Sequence, residues 1–213
     1  MKASFWHQKW ESNQIGFHES DVNPLLVQHI GQLNLAEGSR IFLPLCGKTL
    51  DMAWLLDKGY QVAGAELSEL AIQQLFAELE VEPQVLELGE LKCYQAEGLD
   101  IFVGDIFKLS AEQLGSVDAT YDRAALVALP PETRKYYTQH LMELTKRAPQ
   151  LLLCYEYDQN LMSGPPFSIV GEEVHAHYDE YYRVQQLAST PMEGGFKGTI
   201  ATLDTVWLLS PDA

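Results

Sequence analysis

The feature that most constrains the fold is an alternation of short apolar runs with longer segments of helical periodicity. Runs such as SRIFLPL and QLLLCY are the length of strands and are rich in β-branched and aliphatic residues. Strands that alternate with helices form right-handed βαβ units around a parallel sheet. The predicted strands are Ser39–Leu45, Gln61–Glu66, Asp100–Val103, Ala119–Tyr121 and Gln150–Tyr155, and the predicted helices between them are Leu50–Lys58, Ser68–Glu80, Ser110–Leu114 and Pro130–Arg147.

Both ends of the chain depart from this alternation. Helices are predicted at Phe5–Trp10, Pro24–Leu33 and Glu172–Tyr181, and further strands at Arg183–Ala188 and Thr199–Leu209. The last two strands are joined by a short connection, which predicts an antiparallel pair. We therefore expect an α/β fold with a seven-stranded, mostly parallel sheet, in a single domain of residues 1–213 that has an N-terminal helical cap (1–38) and a core (39–213).

Charge and cysteine content exclude several classes of function. The net charge of −16 is spread along the chain, so a phosphate backbone or an anionic membrane would be repelled. No apolar run approaches the ~20 residues of a membrane span, and the N-terminus lacks the apolar block of a secretory signal. Three widely spaced cysteines without a C-x-x-C motif favour a reducing compartment. We expect a cytoplasmic monomer that acts on a small molecule, not on nucleic acid or a membrane.

A glycine turn followed by an acid marks the predicted ligand site, in the stretch RIFLPLCGKTLDMAWLLDKGYQVAGAELSELA. Gly47-Lys48-Thr49 matches the end of a phosphate-binding loop, but Phe42 replaces that loop's first glycine and Pro44 has no amide. The strand, turn, helix and second strand remain, and Glu66 at the end of that strand can accept hydrogen bonds from both ribose hydroxyls. This pattern suits a nucleoside without phosphate, of which S-adenosylmethionine is the commonest. A solvated loop acid is the alternative.

Motifs along most of the chain occur together in one known family. The N-terminal W-x-x-x-W-x-x-x-x-x-G-F-H begins at Trp6, and LPLCGKTLDMAWL and GAELSELA surround the predicted ligand site. FVGDIF, YDRAALVALPP and EYDQ…GPPFS follow. In this combination, from Trp6 to about Ser168, the chain resembles the thiopurine S-methyltransferase family, and it is most similar to the bacterial branch.

The resemblance implies a Rossmann-like methyltransferase fold with an N-terminal cap and S-adenosylmethionine as cofactor. It implies a cofactor site lined by Trp10, Leu45, Glu66 and Arg123, with Asp105 and Ile106 beside the adenine and Phe17 by the acceptor. Family members also carry a basic residue near the acceptor in the last third of the chain, a place that only Lys197 of MEGGFKGTI can take here. The resemblance to the bacterial branch further implies natural acceptors that include reduced selenium and tellurium compounds.

Three residues have side chains whose chemistry suits such a site. The Trp10 ring can exclude water and tolerates a sulfonium by cation–π attraction, although packing against Trp6 on the same helical face is the alternative. Arg123 follows a strand beside the topological switch point, where its fork can orient a carboxylate or stabilise a thiolate; a structural ion pair is the alternative. His18 either approaches the acceptor or is a loop histidine with satisfied hydrogen bonds.

Other candidate residues do not suit catalysis or metal binding. Cys46 lies beside the glycine turn, but direct methyl transfer needs no protein nucleophile. His175 and His177 do not share a helical face, so no metal is expected. The Gly164-Pro165-Pro166-Phe167 loop has glycine where amino-methyltransferases carry a polar residue, which argues against a nucleic-acid amine as substrate.

The sequence therefore predicts transfer of a methyl group from S-adenosylmethionine to the sulfur of a small aromatic or heterocyclic thiol such as a thiopurine, with Arg123 as the catalytic residue. The alternatives are a selenium or tellurium acceptor (or an oxygen or nitrogen centre) on the same scaffold, and a non-catalytic nucleoside-binding protein.

Overall fold

The computed structural model describes residues 3–211 and is built around a sheet of nine strands. The strands are β1 (Arg40–Pro44), β2 (Gln61–Glu66), β3 (Gln84–Leu88), β4 (Leu91–Ala96), β5 (Leu99–Val103), β6 (Ala119–Arg123), β7 (Gln150–Tyr157), β8 (Tyr182–Pro191) and β9 (Thr202–Pro211). Their order is β3-β4-β5-β2-β1-β6-β7-β9-β8. The five central strands, β5 to β7 in this order, are parallel, and antiparallel hairpins close both edges.

Helices cover both faces of the sheet. They are α1 (Ala3–Glu11), α2 (Pro24–His29), α3 (Asp51–Asp57), α4 (Glu69–Glu78), α5 (Ala111–Leu114), α6 (Pro131–Leu144) and α7 (Gly171–Tyr178), with 3-10 turns at Ile30–Leu33, Ile106–Lys108, Leu126–Ala128 and Gln159–Leu161. Local side chains fix where they begin: Asn23 accepts a hydrogen bond from the Leu25 amide at the start of α2, and Ser68 accepts one from Ala71 at the start of α4. None of these helices in residues 3–211 has the length and apolarity of a membrane span.

The predicted count of seven strands is wrong, because the sequence reading missed β3 and β4. These strands pair with each other around Gly89-Glu90 and extend the sheet beyond β5. Gly89 has a φ of +75°, a conformation that glycine adopts readily in a two-residue hairpin turn. The alternating pattern on either side of that turn was the available signal. The five parallel strands and the β8–β9 pair confirm the rest of the predicted sheet.

Two apolar layers pack against opposite faces of the sheet. One contains side chains of α2, α3 and α4, including the fully buried Leu26, Met52 and Leu55. The other contains side chains of α5, α6 and α7, including Tyr137 and Tyr178. Because Leu26 belongs to the first layer, the N-terminal segment packs on the sheet beside α3 and α4. The loops after all five parallel strands open at one edge, where ligands bind in α/β sheets.

Candidate functional site

The turn after β1 brings the chain close to the cap. Leu45 and Gly47 have φ values of 47° and 53°, and the Cys46 amide donates to the Ala65 carbonyl at 3.0 Å. A Cβ atom added to Gly47 would lie 3.1 Å from Cζ2 of Trp10. Glycine is therefore required here both by its backbone conformation and by the indole that lies on it.

Glu66, at the carboxyl end of β2, is buried and oriented by main-chain amides. Its two carboxylate oxygens accept hydrogen bonds from the amides of Gly47 and Ser68, each at 2.8 Å. Burial raises the pKa of Glu66, and the amides of Ser68 and Gly47 oppose that rise. Each oxygen keeps a second lone pair, so the carboxylate can still accept from the hydroxyls of a ligand.

A cavity of about 400 Å³ lies beside Leu67 and Ser68, the two residues that follow Glu66. Leu67 and Gly104, which follow β2 and β5, line it together with His7 and Glu11 of α1. The β3–β4 hairpin supplies another part of the wall through residues 87–92. This wall was missed by the sequence reading because the hairpin itself was missed.

The predicted adenine-side residues, Asp105 and Ile106, directly follow Gly104, which lines this cavity. Asp105 is exposed, and its carboxylate accepts from the Phe107 amide at 3.1 Å, which caps the 3-10 turn. Ile106 is buried, and its carbonyl lies 2.8 Å from Nε2 of His140. The structure therefore places both residues at the carboxyl end of β5, beside the strand that carries Glu66.

Aromatic side chains join the cap to the glycine turn. Phe17 packs edge-on against both Trp6 and Trp10, with ring centroids 5.7 and 5.4 Å apart. Only 4% of Trp10 is exposed. Packing against Trp6 was the alternative reading for Trp10, and the structure shows a shared cluster that also covers Gly47. Trp10 thus contributes to the core and to the site edge at once.

Arg123, at the carboxyl end of β6, is the one predicted site residue that forms an ion pair among residues 3–211. Its guanidinium forms an ion pair with Glu19 of the N-terminal segment, and only 8% of its side chain is exposed. Its Nε atom is buried without a hydrogen-bond partner among residues 3–211. Burial works against the Arg123 charge, but Tyr155 and Glu19 outweigh it, so the pKa of Arg123 lies above its ordinary value.

The cap is fixed to the sheet by a buried carboxylate. Asp51, at the start of α3, accepts a hydrogen bond from the Asn23 amide at 2.8 Å and one from the Tyr121 hydroxyl at 3.1 Å. Tyr121 lies on β6, two residues before Arg123. One carboxylate therefore links the N-terminal segment to the strand that positions the predicted catalytic arginine.

The turn after Arg123 is held by a second buried carboxylate. Asp122 accepts from the Tyr137 hydroxyl at 2.7 Å and from the Leu126 amide at 3.1 Å. Ala124 between them has a φ of 62°, which is strained for a residue with a side chain. Burial raises the pKa of Asp122 to about 6, although the bonds from Tyr137 and Leu126 oppose the rise. Sequence reasoning did not single out this residue.

Neither of the two remaining candidates bonds to Arg123, but His18 directly precedes Glu19, the ion-pair partner of Arg123, and the charges of both act on the pKa of His18. Lys197 is exposed in the β8–β9 connection with a φ of 54° and makes no hydrogen bond or ion pair to the other residues of 3–211. Its neighbour Phe196 instead packs edge-on against Tyr155, with centroids 4.9 Å apart. His18 is half-buried; burial and the charge of Lys48 lower its pKa, so it is neutral near pH 7.

The family model and the relatives that match this chain carry the same description. The family model described as Thiopurine S-methyltransferase (TPMT) matches residues 1–197. A thiopurine S-methyltransferase of Xanthobacter autotrophicus is 52% identical over 98% of this chain and 99% of its own length. One of Teredinibacter turnerae is 51% identical over 99% of this chain and 98% of its own.

Solved structures agree on the fold. A 1,6-didemethyltoxoflavin-N1-methyltransferase of Burkholderia thailandensis, with its substrate and S-adenosylhomocysteine bound, matches 98% of this chain and 87% of its own (TM-score 0.66, 14% identity). The magnesium protoporphyrin IX methyltransferase of Synechocystis, with S-adenosylhomocysteine bound, matches 96% and 99% (TM-score 0.62, 14% identity).

Proposed function

Because this chain belongs to the thiopurine S-methyltransferase family, we propose that it methylates the sulfur of small heterocyclic or aromatic thiols, thiopurines among them. It is an S-adenosylmethionine-dependent methyltransferase with a Rossmann-like fold. The observation that carries the proposal is the buried Glu66 carboxylate, which the Gly47 and Ser68 amides orient at the carboxyl end of β2.

The residues at the carboxyl ends of the parallel strands suit the binding of S-adenosylmethionine. Glu66 would hold the ribose, while Asp105 and Ile106 would lie at the adenine and Trp10, Leu45 and Arg123 would line the remainder. When bound, the cofactor supplies a methyl group on a positively charged sulfur, which is an activated electrophile. The Gly47 turn offers no phosphate cradle, and none is needed, because this ligand carries no phosphate.

The contribution of the protein to the reaction is mainly positioning. Transfer between two aligned reactants gains much of its rate from proximity and orientation. Trp10 and Phe17 exclude water from the edge where the acceptor would meet the methyl group, and a dry site strengthens every charge interaction within it. Burial, and then the charge of Lys48, lower the pKa of His18, and its Nδ1 atom is buried without a partner among residues 3–211. A neutral imidazole is the form that accepts a proton, so His18 would be the base if the acceptor must lose one.

We extend the proposal to the domain organisation, oligomeric state and cellular compartment of the protein. A net charge of −16 and three buried free cysteines favour a single catalytic domain, residues 1–213, that acts as a cytoplasmic monomer on small molecules. Selenium and tellurium acceptors remain the second candidate class, since a selenolate is a soft nucleophile that the same site would accommodate. Among residues 3–211 no cluster of three or more His, Cys, Asp or Glu can hold a metal ion.

The test is release of S-adenosylhomocysteine with a panel of thiols, thiones and selenols. We expect turnover with heterocyclic acceptors, and we expect Arg123→Lys to lower kcat/KM by about tenfold or more, because lysine keeps the charge but loses the fork. Arg183→Lys, on the exposed side of β8, is the matched control. Tight binding of S-adenosylhomocysteine without turnover of any acceptor would instead indicate a nucleoside-binding protein.

A further inference from the structure

The arginine proposed for the acceptor site is not free to meet an anion. Its guanidinium is paired with Glu19, and only 8% of its side chain is exposed. Glu19 is also contacted by the Asn23 side-chain amide at 3.3 Å, and 43% of its own side chain is exposed. An anionic ligand that approaches Arg123 must therefore displace Glu19 or lie next to a second negative charge.

A second carboxylate lies nearby on the outer hairpin. Asp204 of β9 stands directly opposite Tyr155 of β7 in the antiparallel register, so the two side chains share a face of the sheet. Asp204 is half-buried, and its carboxylate makes no hydrogen bond or ion pair to the other residues of 3–211. Burial, and then the charge of Glu19, raise the pKa of Asp204. A half-buried carboxylate without a donor favours a ligand that brings one.

The other features at this place suit a flat ring. Phe196 packs edge-on against Tyr155 and Tyr157, with centroids 4.9 and 5.5 Å apart, which forms an aromatic wall. The buried Nε of Arg123 is a donor that still lacks a partner. The cluster of Glu19, Asp204 and Arg123 thus offers two acceptors and one donor, with one more negative than positive charge.

We propose that Glu19 determines acceptor specificity, by selecting uncharged heterocyclic thioamides and disfavouring acceptors that carry a carboxylate. A ring N–H next to C=S donates to a carboxylate of the cluster, while the sulfur or the adjacent ring nitrogen accepts from Arg123. Such an edge leaves the Glu19–Arg123 pair intact, whereas an anionic acceptor breaks it. This inference rests on the proposed function and names the substrate class of the same site.

The experiment compares two ligands that differ in charge. Pyridine-2-thione presents an uncharged N–H and C=S edge, whereas 2-mercaptobenzoate lacks the ring N–H and carries a carboxylate beside its sulfur. Calorimetry with S-adenosylhomocysteine present gives their dissociation constants, and the rate of product formation with S-adenosylmethionine gives kcat/KM. We expect the wild-type protein to prefer the thione by about tenfold or more, as a hydrogen bond to a charged group would give.

Glu19→Gln removes one charge and keeps the size of the side chain. We expect it to bind 2-mercaptobenzoate more tightly and the thione more weakly, so that the preference falls about tenfold. Asp21→Asn, two residues away and exposed, removes the same charge and should leave the preference unchanged. Asp204→Asn tests the second carboxylate independently of the cap and should weaken thione binding alone.

Two outcomes would overturn the inference: a wild-type protein that binds 2-mercaptobenzoate as tightly as the thione, or a preference that Glu19→Gln leaves as it was. Failure of the proposed function has a different signature. In that case the preference and its change in Glu19→Gln are seen in the calorimetry, but neither ligand is methylated.

Discussion

The candidate site has a cofactor half, around the turns that follow the parallel strands, and an acceptor half, around Glu19 and Asp204. The carboxylates of the two halves differ in whether main-chain amides bond to them. On the cofactor half, Glu66 is bonded by two main-chain amides, and the deeper Asp51 and Asp122 each by one amide and one tyrosine hydroxyl. On the acceptor half, Glu19 and Asp204 accept no main-chain hydrogen bond from residues 3–211. The carboxylates of the cofactor half hold loops in place, whereas those of the acceptor half can respond to the charge of a ligand.

At this edge of the sheet, the cofactor half therefore positions the cofactor and the acceptor half selects the acceptor. Amide-bonded carboxylates lock the turns after β1, β2 and β6 before any ligand arrives, which is the preorganisation that a common cofactor requires. The acceptor half is built by side chains from the N-terminal segment and the β8–β9 hairpin, which lie outside the parallel sheet. Substitutions in the cofactor half should change affinity or stability, and those in the acceptor half should change preference.

The largest effect expected is on the pH dependence of stability in Asp122→Asn. The folded pKa of about 6, against an ordinary 3.8, means that ionised Asp122 is disfavoured in the folded state. Its contribution to the free energy of unfolding is therefore greatest below about pH 4 and is lost as the pH rises through 6, a change of about 3 kcal/mol. Urea unfolding at pH 4 to 7 should show the variant gaining that amount relative to wild type. Asp21→Asn is the control. A difference in the free energy of unfolding between Asp122→Asn and wild type that stays constant from pH 4 to 7 would contradict the raised pKa of Asp122.

The next effect concerns the cofactor half itself. Glu66→Ala should weaken S-adenosylhomocysteine binding by about 2 kcal/mol, close to thirtyfold, because hydrogen bonds to a charged group are lost. Calorimetry measures this, and Glu82→Ala, an exposed acid before β3, is the control. Unchanged affinity in a folded Glu66→Ala protein would rule out the ribose placement.

A smaller effect is expected where the cap meets the sheet. Asp51→Asn keeps a carbonyl for the Asn23 amide but loses the acceptor for the Tyr121 hydroxyl, so the free energy of unfolding should fall by about 1 kcal/mol. Limited proteolysis should cut residues 12–22 faster than in wild type. Asp57→Asn on the exposed side of the same helix should behave as wild type. Equal cleavage of all three proteins would mean that this carboxylate does not fasten the cap.

The smallest effect is expected at Lys197. Because its side chain is exposed and makes no hydrogen bond or ion pair to the other residues of 3–211, Lys197→Ala should change KM for a thione by no more than about twofold. Steady-state kinetics with two acceptors would measure it. A tenfold rise in KM would show that the β8–β9 connection closes over the acceptor, and the two halves would then differ less than the ligand-free protein indicates.

The sequence predicted the parts of the molecule that depend on local pattern. The five parallel strands follow from the alternation of apolar runs with helical segments, and Glu66 and Arg123 were placed at strand ends by counting from the glycine turn and the fourth strand. The β3–β4 hairpin was missed because β3 lies at the edge of the sheet and buries little apolar surface: Gln84, Val85 and Glu87 are all exposed, and Leu86 and Leu88 are only half-buried.

What the sequence could not predict is contact between distant segments. Glu19 and Arg123 are 104 positions apart, and nothing in the GFHES segment indicates that its acid reaches β6. The same holds for Asp204, because its position opposite Tyr155 depends on the register in which β9 pairs with β7. The amide bonds to Glu66 were not predicted either, because a pattern of side chains does not show which main-chain donors remain unpaired.

One consequence of those amide bonds concerns hydrogen exchange. The amides of Gly47 and Ser68 belong to different loops, and loop amides ordinarily exchange with solvent quickly. Here both are buried and bonded to one carboxylate. Neither proton can exchange without loss of its bond to Glu66, so a movement of Glu66 releases both, and the two should exchange at matching rates under conditions in which that movement limits exchange. Those rates would count how often this edge of the sheet opens in the absence of any ligand.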